Sequence, residues 1–265
     1  MGSTNGDGPA LVAEHVARSF GGVVAVAEAS ISVAEGRVAG LMGANGAGKS
    51  TLVSILSGFL RPDSGTVRFR GTDVTRLGPA GAARLGLIRT FQEAAPIRGL
   101  SVLDNVRVGM HTRFRGGPLA ALLHTPGMRR QERDRRREAL ELLGEVGMSG
   151  LEDADAGQLT FGQLRFLEIA RALAASPRVL LLDEPSAGLN KVESDRLVRL
   201  IKHIQGQGLG FLVIDHSVPF LFEICERITV MNFGEIIAEG PPERIEADPA
   251  VRTAYLGTED VTEAS

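Results

Sequence analysis

Gly43-Ala44-Asn45-Gly46-Ala47-Gly48-Lys49-Ser50-Thr51 is the stretch from which the fold is read. It follows the apolar run Val38-Ala39-Gly40-Leu41-Met42, expected as a buried strand, and opens the apolar segment Ser50 to Ser57, expected as a helix closed by Gly58. The nine residues match the pattern G-x-x-x-x-G-K-[ST] in full. The chemistry of that pattern is specific. Glycines let the backbone wrap around phosphate oxygens with its N–H groups pointing inward. The helix that starts near Lys49 adds the positive end of its dipole. Lys49 neutralises β and γ phosphates, and the Ser50 hydroxyl ligates Mg²⁺. The strand–loop–helix context is the one the pattern requires.

Working outward, a second apolar run, Val179-Leu180-Leu181-Leu182, ends in Asp183-Glu184-Pro185. In open α/β sheets ligands gather at the carboxyl ends of the strands. Asp183 is therefore expected to hold Mg²⁺ through water, and Glu184 to polarise an attacking water as general base. Helices are expected over Arg129 to Gly144, Gly162 to Ala175 and Val192 to Gln205, with a further buried strand at Phe211-Leu212-Val213-Ile214. Strands alternating with helices imply a parallel sheet. Thr66-Val67-Arg68-Phe69-Arg70 alternates as a half-buried antiparallel strand does; Leu11 to Arg18 and Ile31 to Val33 do so more weakly. Ile228-Thr229-Val230 and Ile236-Ile237-Ala238, around Asn232-Phe233-Gly234, read as a hairpin. The fold class is thus α/β: a P-loop NTPase core with a mostly parallel sheet, an N-terminal antiparallel β subdomain and a helical insertion at about 93–175. Residues 1–9 and 258–265 are expected as tails around a single domain spanning 10–257.

Composition narrows the function classes. The chain has 265 residues and a net charge of −3, which argues against a general nucleic-acid binder. Its one cysteine, Cys225, excludes an intramolecular disulfide and a cysteine-rich zinc site and fits a reducing compartment. No apolar run approaches the roughly 18 residues of a membrane span. The start is small and polar, unlike a secretory signal. The arginine-rich segment 129–138 is expected as a solvated helix face with i,i+4 pairs such as Glu132–Arg136, because no aromatic residues interleave to stack bases.

Between the two nucleotide motifs lies Leu159-Thr160-Phe161-Gly162-Gln163, heading a helical segment. That order resembles the ATP-binding subunits of ABC transporters, whose signature is Leu-Ser-Gly-Gly-Gln, and the resemblance spans about residues 10 to 257. It implies roles for further residues. Phe20, which precedes Gly43 by 23 residues, is similar to the aromatic that stacks on adenine. Gln92 in Arg89-Thr90-Phe91-Gln92 resembles the loop glutamine that touches Mg²⁺ and senses the membrane subunit. Ser186-Ala187-Gly188-Leu189-Asn190 resembles the loop that crosses a dimer interface, and His216 the switch histidine that contacts the γ-phosphate.

A finer likeness is carried by Arg89-Thr90-Phe91-Gln92, Leu122-Leu123-His124-Thr125-Pro126, Leu167-Glu168-Ile169-Ala170-Arg171-Ala172-Leu173, Ala187-Gly188-Leu189-Asn190 and Ala254-Tyr255-Leu256-Gly257. These resemble the ATPases of branched-chain amino acid importers, with urea importers a close second. Thr160 stands where the family has Ser but keeps a hydroxyl able to donate to a γ-phosphate oxygen. Phe161, Leu164, Phe166 and Lys191 also depart from common family residues. The departures fall on the signature's contact and not on the phosphate loop.

The resemblance implies a head-to-tail dimer with two ATP molecules at its interface. Lys49 and Glu184 of one subunit would face Thr160, Gly162 and Gln163 of the other. It further implies ATP and Mg²⁺ as cofactors and a peripheral place on the cytoplasmic face of the membrane. The implied partners are permease subunits, a second ATPase subunit and a periplasmic or extracellular solute-binding protein. The implied activity is ATP hydrolysis powering uptake of branched-chain amino acids. The alternatives are an importer ATPase for urea or another small polar solute, and a non-transport ABC ATPase. Against the last, the sequence shows no sustained heptads, as repair members have, and only one phosphate loop, where translation members have two.

Overall fold

The computed structural model describes residues 8–90, 95–113 and 126–256. Gln92, Phe91, Leu122 to Thr125, Gly257 and nearly all of both expected tails lie outside the described residues.

The strand that feeds the phosphate loop, β3 (Val38–Gly43), is buried along its whole length. It sits inside a six-stranded sheet between β8 (Gly210–Ile214) and β9 (Arg227–Asn232), parallel to both. The sheet continues through β8 to β7 (Val179–Asp183) and β6 (Leu87–Arg89), all parallel; on the other side β10 (Glu235–Gly240) returns antiparallel on β9 as the expected hairpin. Continuous apolar runs follow from burial on both faces. On β7, Val179 and Leu181 face one core while Leu180 and Leu182 face the other; on β8, Leu212 and Ile214 part from Phe211 and Val213 in the same way.

The second sheet is antiparallel, in the order β2 (Val23–Val33), β1 (Leu11–Phe20), β4 (Ser64–Phe69), β5 (Thr72–Asp73). Its inner face, with Leu11, Val16, Val26, Ile31, Val67 and Phe69, shares one core with the helix Lys49–Leu56 and one face of the parallel sheet. The other core lies between the opposite face of that sheet and the helices Val102–Gly109, Pro126–Glu145, Phe161–Leu173, Lys191–Gly206 and Val218–Ile224.

β1 and β2 run further than the alternation suggested, because the register slips between Ala13 and Val16 and again near Arg18. At the first slip His15 turns to a φ of 52°, and its backbone N–H donates to Ser30 Oγ. A bulge shifts the inward set by one residue and erases a simple period of two. The helix expected from Arg129 begins at Pro126. Its Glu132 pairs with Arg107 of the neighbouring helix rather than with Arg136, while Arg137 pairs with Asp134 and, at 3.8 Å, Glu141. The arginine cluster is a salt-bridged helix face. Among the described residues no helix is long and apolar enough to cross a membrane.

Candidate functional site

Three adjacent parallel strands end at one rim. β3 delivers Gly43, β8 delivers Asp215 and His216, and β7 delivers Asp183 and Glu184; Leu41 and Asp183 are both in register with Ile214. Five expected site residues, Lys49, Ser50, Asp183, Glu184 and His216, therefore follow the same edge of one sheet. That edge is where α/β sheets bind ligands.

The loop's glycines have identifiable reasons. A Cβ at Gly43 would sit 2.4 Å from the Met231 carbonyl oxygen, and one at Gly48 would sit 2.2 Å from that of Ala25. Gly48 also takes a φ of 101° as the residue preceding the helix Lys49–Leu56. Among the described residues no side chain caps that helix, so its first N–H groups and dipole are available to an anion. Around Gly46 a Cβ would meet nothing within 4 Å among the described residues. The Ala44–Thr51 backbone thus has the makings of a phosphate cradle with one open side.

Lys49 folds back over the loop, donating from Nζ to the carbonyls of Gly43 at 2.7 Å and Ala44 at 3.0 Å. Burial pushes its ammonium pKa down, against the opposing pull of Glu184, Asp183 and Asp215. Asp183 is nearly buried and accepts from Arg89 Nη2 at 2.8 Å. Among the described residues no group of three or more His, Cys, Asp or Glu forms a metal cage. The Asp183 carboxylate at the strand end, across Arg89 and Ser54 from the Ser50 backbone, fits Mg²⁺, which keeps its waters and takes one or two carboxylates plus substrate phosphates.

Glu184 leaves the strand at a φ of 47°, its N–H donating to the Ile214 carbonyl at 2.8 Å. A glutamate in the left-handed region is unusual and marks a position fixed by its surroundings. The chain thus turns at Glu184, one residue before Pro185. Asp215, which sequence reading passed over, is fully buried. Its carboxylate accepts from Ser186 N–H at 3.1 Å and Ser217 N–H at 2.9 Å. It thereby ties the Ser186–Asn190 turn to the loop that carries His216, whose Nδ1 lies 3.8 Å from Asp215 Oδ1. An acid directly before the expected histidine was the available signal.

Phe20 ends β1, half-exposed, with the Arg18 guanidinium 4.9 Å from its ring centroid. Arg18 is itself held by Asp63 at 2.6 Å.

The signature stretch is organised separately. Thr160 caps the helix Phe161–Leu173: its hydroxyl oxygen accepts from Gln163 N–H, and Gln163 Oε1 accepts from Thr160 N–H at 2.9 Å. This capping box leaves the threonine O–H hydrogen available to another acceptor. A Cβ on Gly162 would strike the Glu193 carboxylate at 2.1 Å, and one on Gly188 would strike the Phe161 ring at 2.7 Å. Leu159 packs partly buried against the helical core. The structure therefore groups Leu159 to Gln163 with the Ser186–Asn190 turn and the helix Lys191–Gly206.

A family model described as ABC transporter matches residues 26–187. The chain belongs to the ABC transporter family. A second model, described as Branched-chain amino acid ATP-binding cassette transporter, matches residues 235–261. Within the family this ABC ATPase is of the branched-chain amino acid type. The high-affinity branched-chain amino acid transport ATP-binding protein BraF of Pseudomonas aeruginosa is 38% identical over 250 residues, covering 94% of this chain and 98% of that protein. The lipopolysaccharide export system ATP-binding protein LptB of Acidithiobacillus ferridurans is 38% identical over 247 residues, covering 93% and 96%. The ADP conformation of an ATP-binding cassette of an ABC transporter has a TM-score of 0.81 at 32% identity, over 94% of this chain and 99% of that one. Both sheets of this ABC ATPase, antiparallel and mostly parallel, are those of the cassette fold.

Proposed function

We propose that this ABC ATPase drives import of branched-chain amino acids through membrane permease subunits, docked on the cytoplasmic face and served by an external solute-binding protein. The observation that carries the substrate class is the match of residues 235–261 to the branched-chain type. Overall identity does not separate the substrates, since BraF and LptB are equally similar at 38%.

In this reading the Gly43–Thr51 backbone holds the phosphates of ATP, with Lys49 on the β and γ oxygens and Phe20 against the adenine. Ser50 and Asp183 would hold Mg²⁺, and the resemblance gives Gln92 a share in that role. Bound Mg²⁺ would neutralise charge building on the phosphate oxygens. Glu184 takes the proton of the attacking water, and His216 contacts the γ-phosphate. Thr160, Gly162 and Gln163 reach the γ-phosphate of a partner subunit, with Leu159 and Phe161 shaping that surface. Hydrolysis removes the phosphate that links two subunits and lets them part.

The test is reconstitution in liposomes with copurifying permease subunits. ATP turnover should rise when leucine-loaded binding protein is supplied, and not when the urea-loaded counterpart of a urea system is. Stimulation by urea alone, or by no solute, would refute the assignment.

A further inference from the structure

We infer that Arg89 is a positioning residue for the metal side of the nucleotide site, fixing Asp183 and the Ser50 turn in one hydrogen-bonded frame. The inference rests on the nucleotide reading above.

Arg89 is the last residue of β6 and lies in register with Leu181, two residues before Asp183 on β7. Its side chain is 11% exposed and that of Asp183 is 10% exposed. Nη2 donates to Asp183 Oδ2 at 2.8 Å. Nη1 points the other way, to Ser54 Oγ at 3.1 Å and Ser57 Oγ at 3.4 Å on the phosphate-loop helix. Both hydroxyls have their own hydrogens engaged: Ser54 donates to the Ser50 carbonyl at 2.7 Å, and Ser57 to the Val53 carbonyl at 2.6 Å. Their oxygens are therefore oriented as acceptors for the guanidinium. A continuous chain of hydrogen bonds runs from the backbone of Ser50, through Ser54 and Arg89, to the carboxylate of Asp183. Those are the two residues of the described chain expected to hold Mg²⁺.

The geometry of the fork matters. The guanidinium holds Asp183 through Oδ2, and among the described residues no hydrogen bond takes the second carboxylate oxygen, which would be open toward a metal. Asp183 is also anchored at its backbone, where its N–H donates to Thr90 Oγ1 at 3.3 Å. A nearly buried ion pair is a poor stability device, since apolar residues of similar volume often serve as well or better. Its value here is orientation of a carboxylate, and the groups that orient metal-side residues tune metal affinity.

The test reads Mn²⁺ binding by electron paramagnetic resonance on protein saturated with a nonhydrolysable ATP analogue. Affinity for the analogue without metal is measured alongside. Arg89→Leu should weaken Mn²⁺ by about 10-fold or more, with metal-free analogue affinity held within about twofold. Arg89→Lys keeps the charge and loses the fork; it should fall between wild type and Arg89→Leu, and it carries the test if circular dichroism shows the leucine variant unfolded. Ser54→Ala should cause a smaller loss of the same kind. Unchanged Mn²⁺ affinity in a folded variant overturns the inference. So does tighter Mn²⁺ binding, which would make Arg89 a competitor for the carboxylate, or an equal fall with and without metal. If wild-type protein binds neither the analogue nor Mn²⁺, it is the nucleotide reading that fails.

Discussion

Lys49 shows how one side chain is held for use. Its Nζ rests on two loop carbonyls, and three carboxylates stand near enough to counter the effect of burial on its charge. That charge is expected to move onto phosphate oxygens when nucleotide enters. Lys49→Ala should therefore weaken ATP binding by roughly 10- to 100-fold, the range for a charge-assisted hydrogen bond of ~1.5–3 kcal/mol. A fluorescence titration with a labelled ATP checks it; binding within twofold of wild type would remove Lys49 from the phosphate site. The residue was legible in the sequence because its motif encodes backbone geometry locally. Asp215 was not, because its two N–H partners, Ser186 and Ser217, come from loops after different strands.

Among the elements, the turns after β7 and β8 form a unit through Asp215. Its carboxylate is buried, so both donor groups would lose their partner if it were truncated. Asp215→Ala should cost roughly 1–3 kcal/mol for each donor left buried without an acceptor. Urea denaturation should show a lowered midpoint with an unchanged slope. A stability within 0.5 kcal/mol of wild type, the ordinary range for a surface substitution of about that size, would show that the carboxylate holds nothing. Long apolar strands such as Val179–Asp183 and Gly210–Ile214 were readable because burial on both faces leaves a continuous run. The edge strand β6 has three residues, too few to show a period. The helix Val218–Ile224 also escaped notice, although Pro219 near its start is an ordinary opening signal.

For the molecule as a unit, the proposed function makes the sheet edge and the signature stretch two half-sites. One carries the phosphate loop, Glu184 and His216; the other carries Thr160 at the head of its capped helix. The resemblance expects them to meet across two copies with ATP between. Glu184→Gln should keep ATP bound, cut turnover by about 10²- to 10⁴-fold as loss of a general base does, and shift the protein to a dimer on size exclusion when ATP is added. Wild-type turnover would remove Glu184 as the base. A variant that stays monomeric at saturating ATP would argue that the chain needs a different ATPase partner.

The phosphate loop, the acidic strand end and the class of sheet could be read from residue order, because each depends on neighbours in the chain: a turn, a run of one polarity, a helix start. The meeting of Arg89 with Asp183 and Ser54 could not, nor could the clamp of Asp215 on two loops or the pressing of Glu193 against Gly162. Those contacts join residues far apart in sequence. They exist only once two sheets and their helices have packed and brought separate strand ends to one rim.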